Sequence, residues 1–245
     1  MRKLAKRLAL SLYGRLKSIT HSGRLEAERD LEIALQREAT RSSSSFITEN
    51  CLNAHTFNDR FSLLKYAMEL SRGTAGDILE FGVHRGVSLR FLGSEAACTP
   101  QSNVFGFDCL SGLPEDWPGC GKAGDFKLEM RPDTGQNATF IEGLFQDTLP
   151  DFTKRYGAGC AIRLIHIDSD LYSSCKYVLE TLKPWIKDGT VIVFDEYFNY
   201  PGWQNGEHRA WREFIECHRI NFEYIAYNKK GWQVGIRVTE GQALQ

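Results

Sequence analysis

The chain has 245 residues, of which 42% are hydrophobic and 25% charged, with a formal net charge of −1. This composition excludes a wholly disordered chain, and the length suits one large α/β domain with a terminal appendage. A charge this close to zero makes no electrostatic case for a nucleic-acid partner, and no apolar run is long enough to cross a bilayer.

The chain starts with a basic stretch whose leucines, Leu4, Leu8, Leu12 and Leu16, fall at helical spacing. Arg7, Arg15 and Lys17 interrupt or follow the apolar positions, which is not the pattern of a secretory signal. Two readings stay open: a helix packed on the domain or on a second copy, making a homo-oligomer, or weak contact with a membrane surface. The seven cysteines contain no CxxC pair of zinc spacing, and Cys109, Cys160 and Cys175 read as small core residues. Reduced thiols in the cytoplasm are the expectation.

The first forty residues are predicted helical, and polar Arg41 to Ser45 is predicted as a mobile link. Helical periodicity resumes from Asn58 to Ser71, with Phe61, Leu64, Met68 and Leu63 facing inward. The expected organisation is residues 1–57 as helical appendage and lid, and residues 58–245 as the main domain. The lid is the segment Ile47 to Arg60, placed before the first strand.

Short apolar runs then alternate with helical segments: Asp77–Gly82, Val87–Ala97, Asn103–Asp108, Ala138–Gly143, Ile162–Asp168, Cys175–Ile186 and Thr190–Glu196. Strands that are apolar on both faces and joined by helices form a parallel sheet. Near the end of the chain, Phe222–Asn228 and Trp232–Val238 flank Asn228-Lys229-Lys230-Gly231 and read as a hairpin. The predicted fold is α/β: a Rossmann-like, doubly wound, mostly parallel sheet with a late antiparallel strand.

Ligands of such sheets sit at the carboxyl ends of the strands. The first strand ends Glu80-Phe81-Gly82-Val83-His84-Arg85-Gly86, where Gly82 and Gly86 allow a tight turn and close ligand approach. Glu80 stands where an apolar residue is expected. It would oppose a pyrophosphate and suits a ligand with an amine and a sulfonium, such as S-adenosylmethionine. The second strand ends in Asp108, an acceptor for ribose hydroxyls or a cap for the next segment. After the third, Gln146 could read an adenine edge and Phe145 cover the ring, or both could be loop packing.

The fourth and fifth strands end in Asp168-Ser169-Asp170 and Asp195-Glu196. Carboxylates at neighbouring strand ends repel unless something positive lies between them. Asp168, Asp195 and Glu196 are the expected ligands of Mg²⁺ or Mn²⁺, with Asp170 further along as a helix cap. Helix caps and surface acids are the alternative.

Four stretches resemble the macrocin-type O-methyltransferases, which act on deoxysugars of macrolides. They are Gly76–Val83, Gly106-Phe107-Asp108 with Gly112-Leu113-Pro114, Glu142–Pro150, and His166–Tyr172, within a similarity running from about Thr56 to Trp211. The resemblance implies a class I methyltransferase fold, S-adenosylmethionine, Mg²⁺ and a sugar hydroxyl. It places cofactor contacts at Glu80, Gly82, Asp108 and Gln146, and metal acids at Asp168, Asp195 and Glu196. The order of residues is also similar to catechol O-methyltransferases. Glu196 departs from the usual Asp, Val87 from a second Gly, and Leu171 stands where catechol enzymes keep a lysine base. Candidate bases are Asp168, Asp195, His208 and His55. Loops around Tyr200–Trp203 and Ser111–Gly135 are the expected substrate walls. The rivals are a metal-independent methyltransferase, a non-catalytic cofactor-binding protein and a nicotinamide dehydrogenase, the last disfavoured because Gly-x-Gly-x-x-Gly is absent.

Overall fold

A computed structural model describes residues 30–97, 102–157 and 160–240. The basic N-terminal stretch lies outside them. The elements are α1 (Leu31–Asn50), β1 (His55–Phe57), α2 (Arg60–Leu70), β2 (Asp77–Phe81), α3 (Val87–Ala96), β3 (Val104–Asp108), β4 (Thr139–Glu142) and α4 (Phe145–Tyr156). They continue with β5 (Ile162–Ile167), α5 (Tyr172–Leu182), β6 (Val191–Phe194), α6 (Glu207–His218), β7 (Asn221–Asn228) and β8 (Val234–Thr239).

The strands form one sheet in the order β1-β7-β8-β6-β5-β2-β3-β4. Only β8 runs antiparallel to its neighbours, β6 and β7. This is the Rossmann-like arrangement that the alternating runs and the terminal hairpin predict. Strand alternation divides the core. Leu79, Phe81, Phe107, Ile165, Ile167 and Phe194 pack against α4, α5 and α6. Ile78, Leu164, Val191 and Val193 pack against Leu63, Leu64, Ala67 and Met68 of α2 and Leu89 and Leu92 of α3. Phe61 is only partly buried there.

Two expectations near the start of the described chain are corrected. Residues 41–45 are not a link; they lie inside the helix α1, capped by Asp30, whose side chain accepts from the amides of Glu32 and Ile33. The polar run stays helical because its hydroxyls bond the preceding turn, Ser42 to the Glu38 carbonyl and Ser43 to that of Ala39. Buried Ser43 also accepts from the Asn199 amide at 2.8 Å. The boundary at 57 is also displaced. His55–Phe57 pairs in parallel with β7 and is the edge of the main sheet, not a lid. No described helix is long and apolar enough to cross a membrane.

Candidate active site

A cavity of about 1140 Å³ opens where the carboxyl ends of β2, β3, β5 and β6 converge. The β2–α3 turn forms one side. Gly82 has φ +92°, and a Cβ there would lie 1.6 Å from the Asp168 carbonyl oxygen, so only glycine permits the two strand ends to meet. Gly86 has φ +75° and would strike the Asp133 carbonyl at 2.6 Å. It is the N-cap of α3 and shapes the turn without reaching the cavity wall.

Asp108, at the end of β3, holds that turn in place. Its Oδ2 accepts from the amides of Val83 at 2.9 Å and His84 at 2.6 Å. It also lines the cavity, as do Phe145 and Gln146 in the first turn of α4. Ser111–Gly135 supplies part of the wall through Gly112, Leu113, Pro114, Trp117 and Phe126, and Tyr200 and Pro201 contribute another part. Cys109 is a half-buried wall residue rather than core. A further wall was not anticipated: Ile33, Leu35 and Gln36 of α1. Gln36 is positioned by donating to the Asn199 carbonyl at 2.9 Å.

Glu80 and Phe81 stand elsewhere than expected. Phe81 points to the α4–α6 side of the sheet and stacks on Phe107 at 4.9 Å. Glu80 points to the opposite side and is fully buried, so neither side chain forms the cavity wall. Glu80 Oε1 instead meets His166 Nδ1 at 2.8 Å, and the other imidazole nitrogen meets Asp195 Oδ1 at 3.4 Å. Register explains the alignment: Glu80 pairs with His166, and His166 with Val193, two residues before Asp195 on the same face. Burial disfavours the imidazolium, but the hydrogen bonds to Asp195 and Glu80 prevail and carry the His166 pKa up to about 10.

Arg60, the first residue of α2, lies over the same acids. Its Nη1 is 3.4 Å from Asp195 Oδ2 and 3.5 Å from Asp168 Oδ2. Asp195 also accepts from Gln233 Nε2 at 2.9 Å. Burial raises its pKa, yet the bond and charge of His166 and the Arg60 charge hold it below the usual carboxylate range.

The expected metal set of Asp168, Asp195 and Glu196 is rearranged. Asp168, Asp170 and Glu196 bring oxygens within 4.8 Å of one another, while Asp195 groups with Asp168 and His166. His166 Nδ1 is engaged by Glu80, and Nε2 faces Asp195. Asp170 was read as a helix cap. Its backbone adopts φ +60°, and it lines the cavity beside Asp168. Burial and the neighbouring Asp195 charge push the Asp168 and Asp170 carboxyls up, Asp170 to about 7. Burial and the charges of Asp168 and Asp195 do the same to Glu196. Glu196 Oε2 is buried without a hydrogen-bond partner. An under-neutralised oxygen set with an orphaned carboxylate oxygen fits a hard divalent cation.

Behind Glu196 sits fully buried Glu207, accepting from the amides of Ser169 and Glu196 at 3.3 and 3.2 Å. Burial raises its pKa to about 8, against those two hydrogen bonds.

The two candidate histidine bases are both displaced. His208 does not line the cavity. It packs edge-on among Trp203, Tyr197 and Phe46 at 4.7, 5.0 and 5.2 Å. Neither ring nitrogen has a hydrogen-bond partner, and burial lowers its pKa to about 4. His55 lies exposed on the edge strand against Tyr66.

Residues 79–197, which contain the β2 turn, Glu80, Asp168, Asp170, Asp195 and Glu196, match the family model described as a methyltransferase domain. That stretch, just under half of the chain, is similar to methyltransferase domains. The chain's fold is shared with the calicheamicin methyltransferase CalS11, with 22% identity, 72% of this chain and 77% of that one covered, and a TM-score of 0.61. The O-methyltransferase NovP is similar at 22% identity, with 74% and 80% covered and a TM-score of 0.58. No curated protein sequence matches the chain.

The acid cluster is built with residues that sequence reasoning did not assign to the site: Arg60, His166, Asp170, Glu207 and Gln233. His166 carried a signal, as a polar residue inside an otherwise apolar strand. Arg60 and Gln233 carried none, since they reach the acids only through the packing of α2 and the β7–β8 hairpin against the sheet.

Proposed function

We propose that the protein is an S-adenosylmethionine-dependent O-methyltransferase that methylates a hydroxyl of a small molecule, a sugar hydroxyl in particular, with help from Mg²⁺ or Mn²⁺. The observation that carries this reading is one cavity joining two chemically distinct walls. Gly82, Asp108, Phe145 and Gln146 form one, and Asp168, Asp170 and Glu196 the other. The first suits an adenosyl donor: close backbone approach at Gly82, a carboxylate for ribose, an amide for the adenine edge and an aromatic cover. The excess of carboxylates over the two cations Arg60 and His166 favours a sulfonium. A volume of about 1140 Å³ exceeds the roughly 300–1,000 Å³ of a single drug-sized site and admits donor and acceptor together.

Held by Asp168, Asp170 and Glu196, a divalent cation would supply Lewis acidity that lowers the acceptor hydroxyl's pKa. The chain's own part is to align the reactants for in-line displacement. The acceptor oxygen forms its bond to the methyl carbon as the S–C bond breaks. Asp168, half-buried and open to the cavity, is assigned as the proton acceptor, and Asp195 as the carboxylate that anchors Arg60 beside it.

The test is methyl transfer from labelled donor to a panel of glycosides, with and without EDTA. We expect activity to vanish on chelation and return with Mg²⁺; undiminished turnover in EDTA would remove the cation from the reading. Asp168→Asn should keep donor binding by calorimetry and lose transfer by at least ~100-fold. A metal-independent methyltransferase is the second reading, favoured by the Arg60 guanidinium already placed between Asp168 and Asp195.

A further inference from the structure

The proposed cation site and Arg60 draw on the same carboxylate. Asp168 belongs to the oxygen set with Asp170 and Glu196 and also faces Arg60 at 3.5 Å. Arg60 is a wall residue of the cavity with about a third of its side chain exposed, so the guanidinium has solvent to move into. Its guanidinium carbon lies over the Phe61 ring, 5.2 Å from the centroid, and Asp59 caps the helix it begins. It is therefore a cation anchored at the start of a capped helix, with its charged end at the cavity and partly open to solvent. Two cations sharing one partly buried carboxylate repel at this range, because solvent screening is weak.

We propose that Arg60 is a built-in competitor for the divalent cation, loosening the ion's hold on Asp168 and yielding its contact there when the ion binds. The inference rests on the cation reading above. Arg60 keeps the cluster neutral enough to fold while the cation is away, and its displacement reshapes the cavity wall beside the acceptor when the cation arrives. Metal occupancy and acceptor fit are thereby linked through one side chain. Arg60 acts through Asp168 and is a positioning residue.

The experiment is isothermal titration of Mn²⁺ into the full-length protein and into Arg60→Met, Arg60→Lys and Arg90→Met, with melting curves of each with and without MnCl₂. Arg90→Met removes an equal charge from α3, outside the cavity wall. We expect Arg60→Met to bind Mn²⁺ about tenfold tighter, and to gain more thermal stability from Mn²⁺ than the parent. Arg60→Lys and Arg90→Met should stay within about threefold of the parent. Equal Mn²⁺ affinity in the parent and in a folded Arg60→Met, or weaker binding in the variant, would overturn the competition while leaving the cation site standing. Equal tightening in Arg90→Met would overturn it too, in favour of general electrostatics. Absence of Mn²⁺ binding in every protein would refute the cation reading and this inference together. If Arg60→Met does not fold without metal, its recovery by Mn²⁺ supports the proposal, and failure of Mn²⁺ to recover it counts against it.

Discussion

His166 is fully buried and His208 half-buried with both ring nitrogens shielded, and the two have opposite fates. His166 lies between Glu80 and Asp195, where two carboxylates more than offset the cost of burying an imidazolium, and its pKa rises to about 10. His208 sits among Phe46, Tyr197 and Trp203 with nothing to accept its protons, and its pKa falls to about 4. Burial alone discharges a histidine; burial between acids charges it. The charged one organises the β5–β6 end of the sheet beneath the cavity. The neutral one is packing, and helps fasten α1 to the loop after β6.

The sharpest way to break this comparison is to remove the charged ring. His166→Leu leaves Glu80 and Asp195 without their shared counter-charge and should cost about 3–5 kcal/mol in urea unfolding at pH 7. A loss below about 1 kcal/mol would mean that the ring is neutral and dispensable. Nitrogen shifts of labelled histidine give the same answer in the parent protein: imidazolium for His166 and neutral imidazole for His208 at pH 6.

The second test uses the neutral ring. Because the folded pKa of His208 lies below the unfolded value, the unfolded chain binds the proton more tightly. Stability from this residue is therefore present above about pH 6.5 and is lost as pH falls towards 4. His208→Phe should flatten that part of the acid-stability curve, and at pH 4.5 the variant should exceed the parent by roughly 2 kcal/mol relative to their difference at pH 7. Parallel curves for the two proteins between pH 7 and 4.5 would place a proton on His208 in the folded state.

The smallest effect concerns the strap beside that ring. Ser43→Ala leaves the Asn199 amide without its acceptor and should cost about 1 kcal/mol. Because α1 lines the cavity and supplies none of the donor-wall residues named above, we expect Ser43→Ala also to raise the apparent KM for the acceptor while donor affinity, read by calorimetry, stays unchanged.

The strand order could not be read from the sequence, but the strands themselves could, because burial on both faces writes a continuous apolar run. Gly82, Asp108, Phe145, Gln146 and Asp168 were legible as strand-end and turn residues, and all of them line the cavity. Phe81 and Glu80 were misplaced for a simple reason: adjacent residues of a strand point to opposite faces, and both faces here are covered. His208 followed the metal acids closely in sequence, yet α6 turns it into an aromatic box. Arg41–Ser45 looked like a link because serine is a poor helix former, until the Asn199 loop provided a partner.

What the sequence determined by itself was the sequence of strand ends: a glycine turn, an acid after the second strand, an amide and aromatic after the third, acids after the fourth and fifth. Each is a local pattern of four to eight residues, set by the chemistry of strand termination. What only the tertiary structure decided was how those acids are neutralised. A pairwise charge balance depends on distances between residues remote in sequence, and Arg60 lies 135 positions before the Asp195 it contacts. The expectation that a cation must lie among the carboxylates was physically sound. Folding answered part of it with Arg60 and His166, and left Asp168, Asp170 and Glu196 as the set still short of positive charge.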